Sequence, residues 1–157
     1  MQSSSNLPNV VLLDRIKDPH NVGAILRSAE VFGASAVLGT KHHSAPETGA
    51  LAKAASGALE RQPYIRVRNL ADTILELKKM GFVALGLDAT GGRDISDAAK
   101  LYFDRPIALV MGAEGPGLRS RTKEVVDELV RIKPVSSFGS LNVSNAAAVG
   151  LHSITAF

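Results

Sequence analysis

Ile107-Ala108-Leu109-Val110-Met111-Gly112-Ala113-Glu114-Gly115-Pro116-Gly117-Leu118 is the stretch that decides the fold. Its apolar run, Ile107 to Met111, is too short for a core helix and lacks polar alternation, so it predicts a strand buried on both faces. The three glycines that follow let a backbone approach a ligand closely. Their order is G-x-x-G-x-G and no Walker lysine follows, which argues against a dinucleotide fingerprint and a P-loop. Glu114 has little use in a helix or strand there. It is either an exposed acid on a tight turn or part of a site.

Working outward, the same kind of run recurs at Val10–Leu13, Ala36–Leu38, Tyr64–Val67 and Phe82–Leu87, with a shorter one at Val130–Ile132. Between them lie stretches of helical pattern: His20–Phe32, Thr48–Ser56, Leu70–Met80, Arg121–Leu129, and Leu141 to the C-terminus. Continuous apolar strands alternating with helices predict a single α/β domain, a mostly parallel sheet with helices on both faces. Ligands of such sheets bind beyond the carboxyl ends of the strands.

Composition narrows the function classes. The chain has 157 residues, 45% hydrophobic and 21% charged, enough for one globular core. Cysteine is absent, which removes disulfides, thiolate zinc sites and cysteine nucleophiles and is compatible with a reducing cytoplasm, the expected location. No apolar run approaches the roughly 18 residues of a membrane helix, so no membrane partner is expected. The four histidines lack metal-ligand spacing, and no metal site is expected. Residues 1–9 read as a flexible tail or linker remnant without signal-peptide features, and residues 10–157 as the domain. The formal charge is +3. The basic excess sits in residues 1–68, where Lys41, His42 and His43 also cluster, which permits a nucleic-acid partner without demanding one.

Two further segments follow predicted strands. In Asp18-Pro19-His20-Asn21-Val22-Gly23-Ala24-Ile25-Leu26-Arg27, Asp18 or His20–Asn21 supplies a helix start, and Asn21 is a candidate N-cap able to meet phosphate or ribose. Arg27 is a candidate for gripping phosphate or a developing oxyanion, or else a solvated surface arginine. In Ser136-Ser137-Phe138-Gly139-Ser140-Leu141-Asn142-Val143-Ser144, small polar residues precede an alanine-rich helix. They form either a ligand-holding helix start or an N-cap built on Ser140 or Asn142.

The stretches Asn21–Arg27, Ile107–Leu118 and Ser140–Ser144, in this order, resemble the SpoU/TrmH family of RNA 2′-O-ribose methyltransferases over nearly the whole chain. The resemblance implies a deep trefoil knot in the C-terminal part, an exception to the near-absence of knots. It also implies S-adenosyl-L-methionine as cofactor, an RNA substrate and a homodimer. By the same resemblance, Gly112, Gly115, Gly117, Leu118, Ile132, Pro134, Ser140 and Leu141 would form the cofactor site. Arg27, Asn21, Glu114, Ser140 and Asn142 would be catalytic. Arg27 would stabilise the oxyanion of the ribose 2′-OH, in its own subunit or across the dimer. Many relatives read Ile-Pro-Met where this chain has Ile132-Lys133-Pro134, which alters the cofactor wall.

The Ile107–Leu118 stretch is most similar to the subgroup acting on guanosine of ribosomal RNA. That makes rRNA the expected substrate ahead of tRNA. The resemblance also fits a catalytic domain cut from a longer protein, with a minimal enzyme as the alternative. A cofactor-binding RNA module, inactive without a recognition domain, remains a competing reading. A small-molecule enzyme using another nucleotide would require the Arg27 and Asn142 matches to be accidental.

Overall fold

The structure is a computed structural model that describes residues 7–42, 48–113, 115–135 and 141–156. Seven strands form one wholly parallel sheet: β1 (Val10–Asp14), β2 (Ala36–Thr40), β3 (Tyr64–Val67), β4 (Val83–Leu87), β5 (Arg93–Asp94), β6 (Ile107–Gly112) and β7 (Glu128–Arg131). Their order across the sheet is β3-β2-β1-β6-β4-β7-β5. The strand of the deciding stretch, β6, is central, with β1 on one side and β4 on the other.

The helices are α1 (Pro19–Val31), α2 (Gly49–Ala55), α3 (Ala58–Arg61), α4 (Leu70–Lys79), α5 (Ile95–Leu101), α6 (Ser120–Val125) and α7 (Val143–Thr155). Alternate strand residues feed two cores. Val11, Leu13, Leu109 and Met111 meet α1, α2, α5 and α7 on one face. Leu12, Ala108 and Val110 meet α4 and α6 on the other. Helices therefore cover both faces, which is why the strands read as continuous apolar runs.

Four details differ from expectation. Asn21 does not cap α1. Asp18 does, its carboxylate accepting from His20 N at 2.9 Å. Pro19 supplies the fixed φ that suits the first helical position, so the helix starts before Asn21. The helix expected over 121–129 stops at Val125, because Asp127 already exchanges hydrogen bonds with Ala84 of β4. The short β5 and the helices α3 and α5 were not expected. Two strand residues carry no period, and α5 buries only Ile95, Ala98 and Ala99. The final helix begins at Val143, with Asn142 as its cap.

Candidate active site at the carboxyl edge of the sheet

Strands β6, β4 and β7 are neighbours, and Met111, Leu87 and Val130 form one row across them. The loops leaving just beyond this row begin at Gly112, Asp88 and Ile132. The glycine loop folds back on itself: Gly117 N donates to Ala113 O at 2.8 Å, with Gly115 and Gly117 at φ 81° and 69°. A Cβ on Gly112 would lie 2.4 Å from the Gly117 carbonyl carbon, so no other residue fits. The outcome is a tight backbone cradle at the strand end. Leu118 closes it from below, 3% exposed in the core beside Val125 and Val126.

Three carboxylates, buried Asp14 and half-buried Asp88 and Asp94, hold the edge in place. Asp14, at the end of β1, accepts from Arg119 N at 2.9 Å and from its Nε at 2.8 Å, fixing the exit of the glycine loop. Asp88 accepts from Thr90 N and its hydroxyl, and Lys123 lies 3.6 Å away. The Thr90 hydroxyl, opposed by burial and helped by Lys123, holds the Asp88 carboxyl below its usual range. Asp94 accepts from Ser96, capping α5, and from Lys133 N at 3.1 Å. The Ser96 hydroxyl is the main cause of the lowered Asp94 pKa.

Past β7, Ile132 is half-buried and Pro134 exposed. Leu141 is 47% exposed just before α7. Asn142 Oδ1 accepts from Ser144 N at 2.9 Å. Helix α7 runs beside α1, and Phe32 meets His152 edge-on at 5.8 Å near their carboxyl ends. Gly150 packs on Leu109 in mid-sheet, so both helices descend from the carboxyl edge. The structure thus brings Gly112, Gly115, Gly117, Ile132, Pro134, Leu141, Asn142 and the start of α1, with half-buried Asn21, to one edge. Arg27 is exposed and lies six residues beyond Asn21, about 9 Å along the helix axis. It makes no hydrogen bond or ion pair with a described residue. Glu114 and Ser140 lie outside the described residues, as does His43.

Sequence reasoning missed Asp14, Asp88 and Asp94. Asp88-Ala89-Thr90 after an apolar strand carries the signature of an Asx turn and was open to detection. Asp14 and Arg119 are 105 residues apart, and nothing local links them.

The sequence profile of the SpoU rRNA Methylase family matches residues 8–152. The chain belongs to this family. Among its relatives, the 23S rRNA (guanosine-2'-O-)-methyltransferase RlmB of Ralstonia nicotianae is 46% identical over 144 residues, 92% of this chain and 57% of that protein. The corresponding RlmB of Haemophilus ducreyi is 44% identical over 154 residues, 98% of this chain and 61% of that protein. The SpoU methyltransferase AviRb from Streptomyces viridochromogenes, solved in complex with AdoMet, superposes with a TM-score of 0.83 at 28% identity, covering 99% of this chain and 58% of AviRb. The chain therefore spans about three fifths of the length of these relatives. Among the described residues, no helix is long and apolar enough to cross a membrane.

Proposed function

We propose that residues 10–157 form a methyltransferase unit that transfers a methyl group from S-adenosyl-L-methionine to a ribose 2′-OH of RNA, a guanosine of ribosomal RNA. The observation that carries this reading is the Gly112–Gly117 cradle beside the exit of β7 and the Asn142 cap, in a chain of this family. The cradle offers backbone groups without side chains, and Ile132 and Leu141 offer apolar surface only partly used by the core. That combination fits a flat, polar-edged adenosyl group. Gly112, Gly115, Gly117, Ile132, Pro134, Ser140 and Leu141 would hold it. Leu118 would act through packing beneath the loop.

When bound, S-adenosylmethionine supplies an electrophilic methyl on a sulfonium, so the transfer asks for no metal ion. The residues of the chain must orient the ribose and manage its proton. A hydroxyl is a poor nucleophile, and a guanidinium keeps its proton in proteins. Arg27 therefore acts as a fixed cation that stabilises the alkoxide as the 2′-OH proton leaves, with an RNA phosphate as the acceptor. Asn21 and Asn142 position the ribose and the arginine. Glu114 and Ser140 are assigned to the same site. Exposed Val31 on α1 and Val149 on the adjacent α7 support a homodimer through these helices. Such a dimer would supply Arg27 to the partner's cradle, in keeping with its lack of a hydrogen-bond or ion-pair partner among the described residues. The insertion of β6 between β1 and β4, and of β7 between β4 and β5, supports a knotted C-terminal part. An rRNA substrate would be met in the cytoplasm, the location this reading assigns.

Calorimetric titration with S-adenosylmethionine, with NAD and ATP as controls, tests the cofactor. Nucleoside analysis of unmodified 23S rRNA after incubation tests the transfer. Selective cofactor binding and new 2′-O-methylguanosine are expected. Binding without turnover on any rRNA or tRNA would assign the chain as a cofactor-binding module. No binding would overturn the reading.

A further inference from the structure

We propose that a basic cavity on the β1–β2–β3 side of the carboxyl edge binds successive phosphates of an RNA strand, outside the glycine-loop site. The inference rests on the reading of RNA as substrate. The cavity, of about 260 Å³, is lined by Arg15, Thr40, His42, Arg68, Arg119 and Arg121, together with the amino end of α4. Its four arginines come from three segments: Arg15 at the exit of β1, Arg68 at the exit of β3, and Arg119 and Arg121 at the start of α6. Among the described residues, no carboxylate lines it.

This charge is poorly compensated. Arg119 is bound to Asp14. Among the described residues Arg121 meets only Glu124, at 3.4 Å with both side chains more than 60% exposed, a pair of little strength. Arg15 and Arg68 make no hydrogen bond or ion pair with a described residue. Gathering like charges costs the fold energy that a bound anion recovers. The N-terminus of α4, a helix of 10 residues, adds its partial positive charge, although exposed Asp72 in its first turn offsets part of that. Arg15 also adopts φ 62°, a left-handed conformation that non-glycine residues rarely take.

The layout favours a strand of nucleic acid over a single small anion. Arg15 and Arg68 follow β1 and β3, two strand spacings apart, roughly 10 Å, wider than one phosphate. Arg119 directly follows Leu118, and Asp14 pairs in register with Gly112. The cavity therefore adjoins the cradle, and RNA placing a ribose at the cradle runs its backbone over these arginines.

The test measures binding of a fluorescently labelled single-stranded RNA across salt concentrations for the wild type, Arg15→Gly and Arg68→Gln. Cofactor affinity is measured by calorimetry on the same samples. Each variant is expected to weaken RNA binding about 10-fold at low salt and to reduce the slope of log affinity against log salt by about 0.7 per lost contact. Affinity for S-adenosylmethionine should stay unchanged. Glycine accepts positive φ, so Arg15→Gly should keep or raise Tm, separating lost binding from lost fold. Unchanged RNA affinity and slope in both variants overturns the cavity even if the wild type methylates RNA. A wild type that binds RNA through these arginines but never binds the cofactor defeats the methyltransferase reading and upholds the cavity. Inorganic phosphate at matched ionic strength raising the wild-type Tm, with RNA affinity unaltered in the variants, would assign a small-anion site and overturn the RNA proposal.

Discussion

Arg27 is exposed and unpartnered among described residues, so the fold gains little from its charge. Arg27→Ala should leave Tm and cofactor affinity intact while lowering methyl transfer at least about 100-fold, the scale of a lost oxyanion stabiliser. Single-turnover rates check this, and an unchanged rate removes Arg27 from the mechanism. Leu141, nearly half exposed before α7, has the opposite profile. Leu141→Asp should keep the fold but weaken cofactor binding about 10-fold or more by placing a charge on an apolar contact, as calorimetry would detect. Lys133 N–H donates to Asp94 at 3.1 Å, a bond that a proline at this position would lack the hydrogen to make. The Ile132-Lys133-Pro134 stretch is thus tied to β5 by a backbone contact.

At the level of elements, α1 and α2 cross so closely at Gly23 that an added Cβ would sit 2.6 Å from Leu51 O and 2.7 Å from Ala54 Cβ. The glycine of the Asn21–Arg27 segment is therefore explained by packing. Gly23→Ala should destabilise the protein by about 1–3 kcal/mol, visible as a lower denaturant midpoint. The turns that end β4 and open α5 have a pH signature. Asp88 and Asp94 are both held below the ordinary value of 3.8, chiefly by the Thr90 and Ser96 hydroxyls. Their ionised forms favour the native state. That stability is complete above the ordinary value and is lost as pH falls from there through the folded value. Urea midpoints should decline below about pH 4, and Asp94→Asn should flatten the decline. Strands were the most legible elements, because burial on both faces leaves uninterrupted apolar runs. The end of α6 was not, because Asp127 leaves the helix to satisfy Ala84 in β4, a partner distant in sequence.

For the whole molecule, the proposed dimer makes a decisive mixing experiment. If Arg27 serves the partner's cradle, Arg27→Ala and Leu141→Asp chains, assayed at cofactor well below the Kd of the Leu141 variant, are each impaired alone but regain activity when mixed, since each heterodimer holds one intact site. If it serves its own chain, the mixture stays impaired. Sedimentation checks the premise, and a clean monomer at micromolar concentration would make a shared site untenable. By itself the sequence determined the α/β class, the parallel sheet, the glycine loop at the end of a buried apolar strand and the family. These follow from local apolar period and from motifs that need no distant partner. Only the tertiary structure decided the strand order, the Asp14 clamp on Arg119, the start of α1 at Asp18 and the gathering of Arg15, Arg68, Arg119 and Arg121 around one cavity. The physical reason is that hydrogen bonds and charges act through space. Arginines spread over a hundred residues meet only once the β1, β3 and β6 exits are set side by side on one sheet edge.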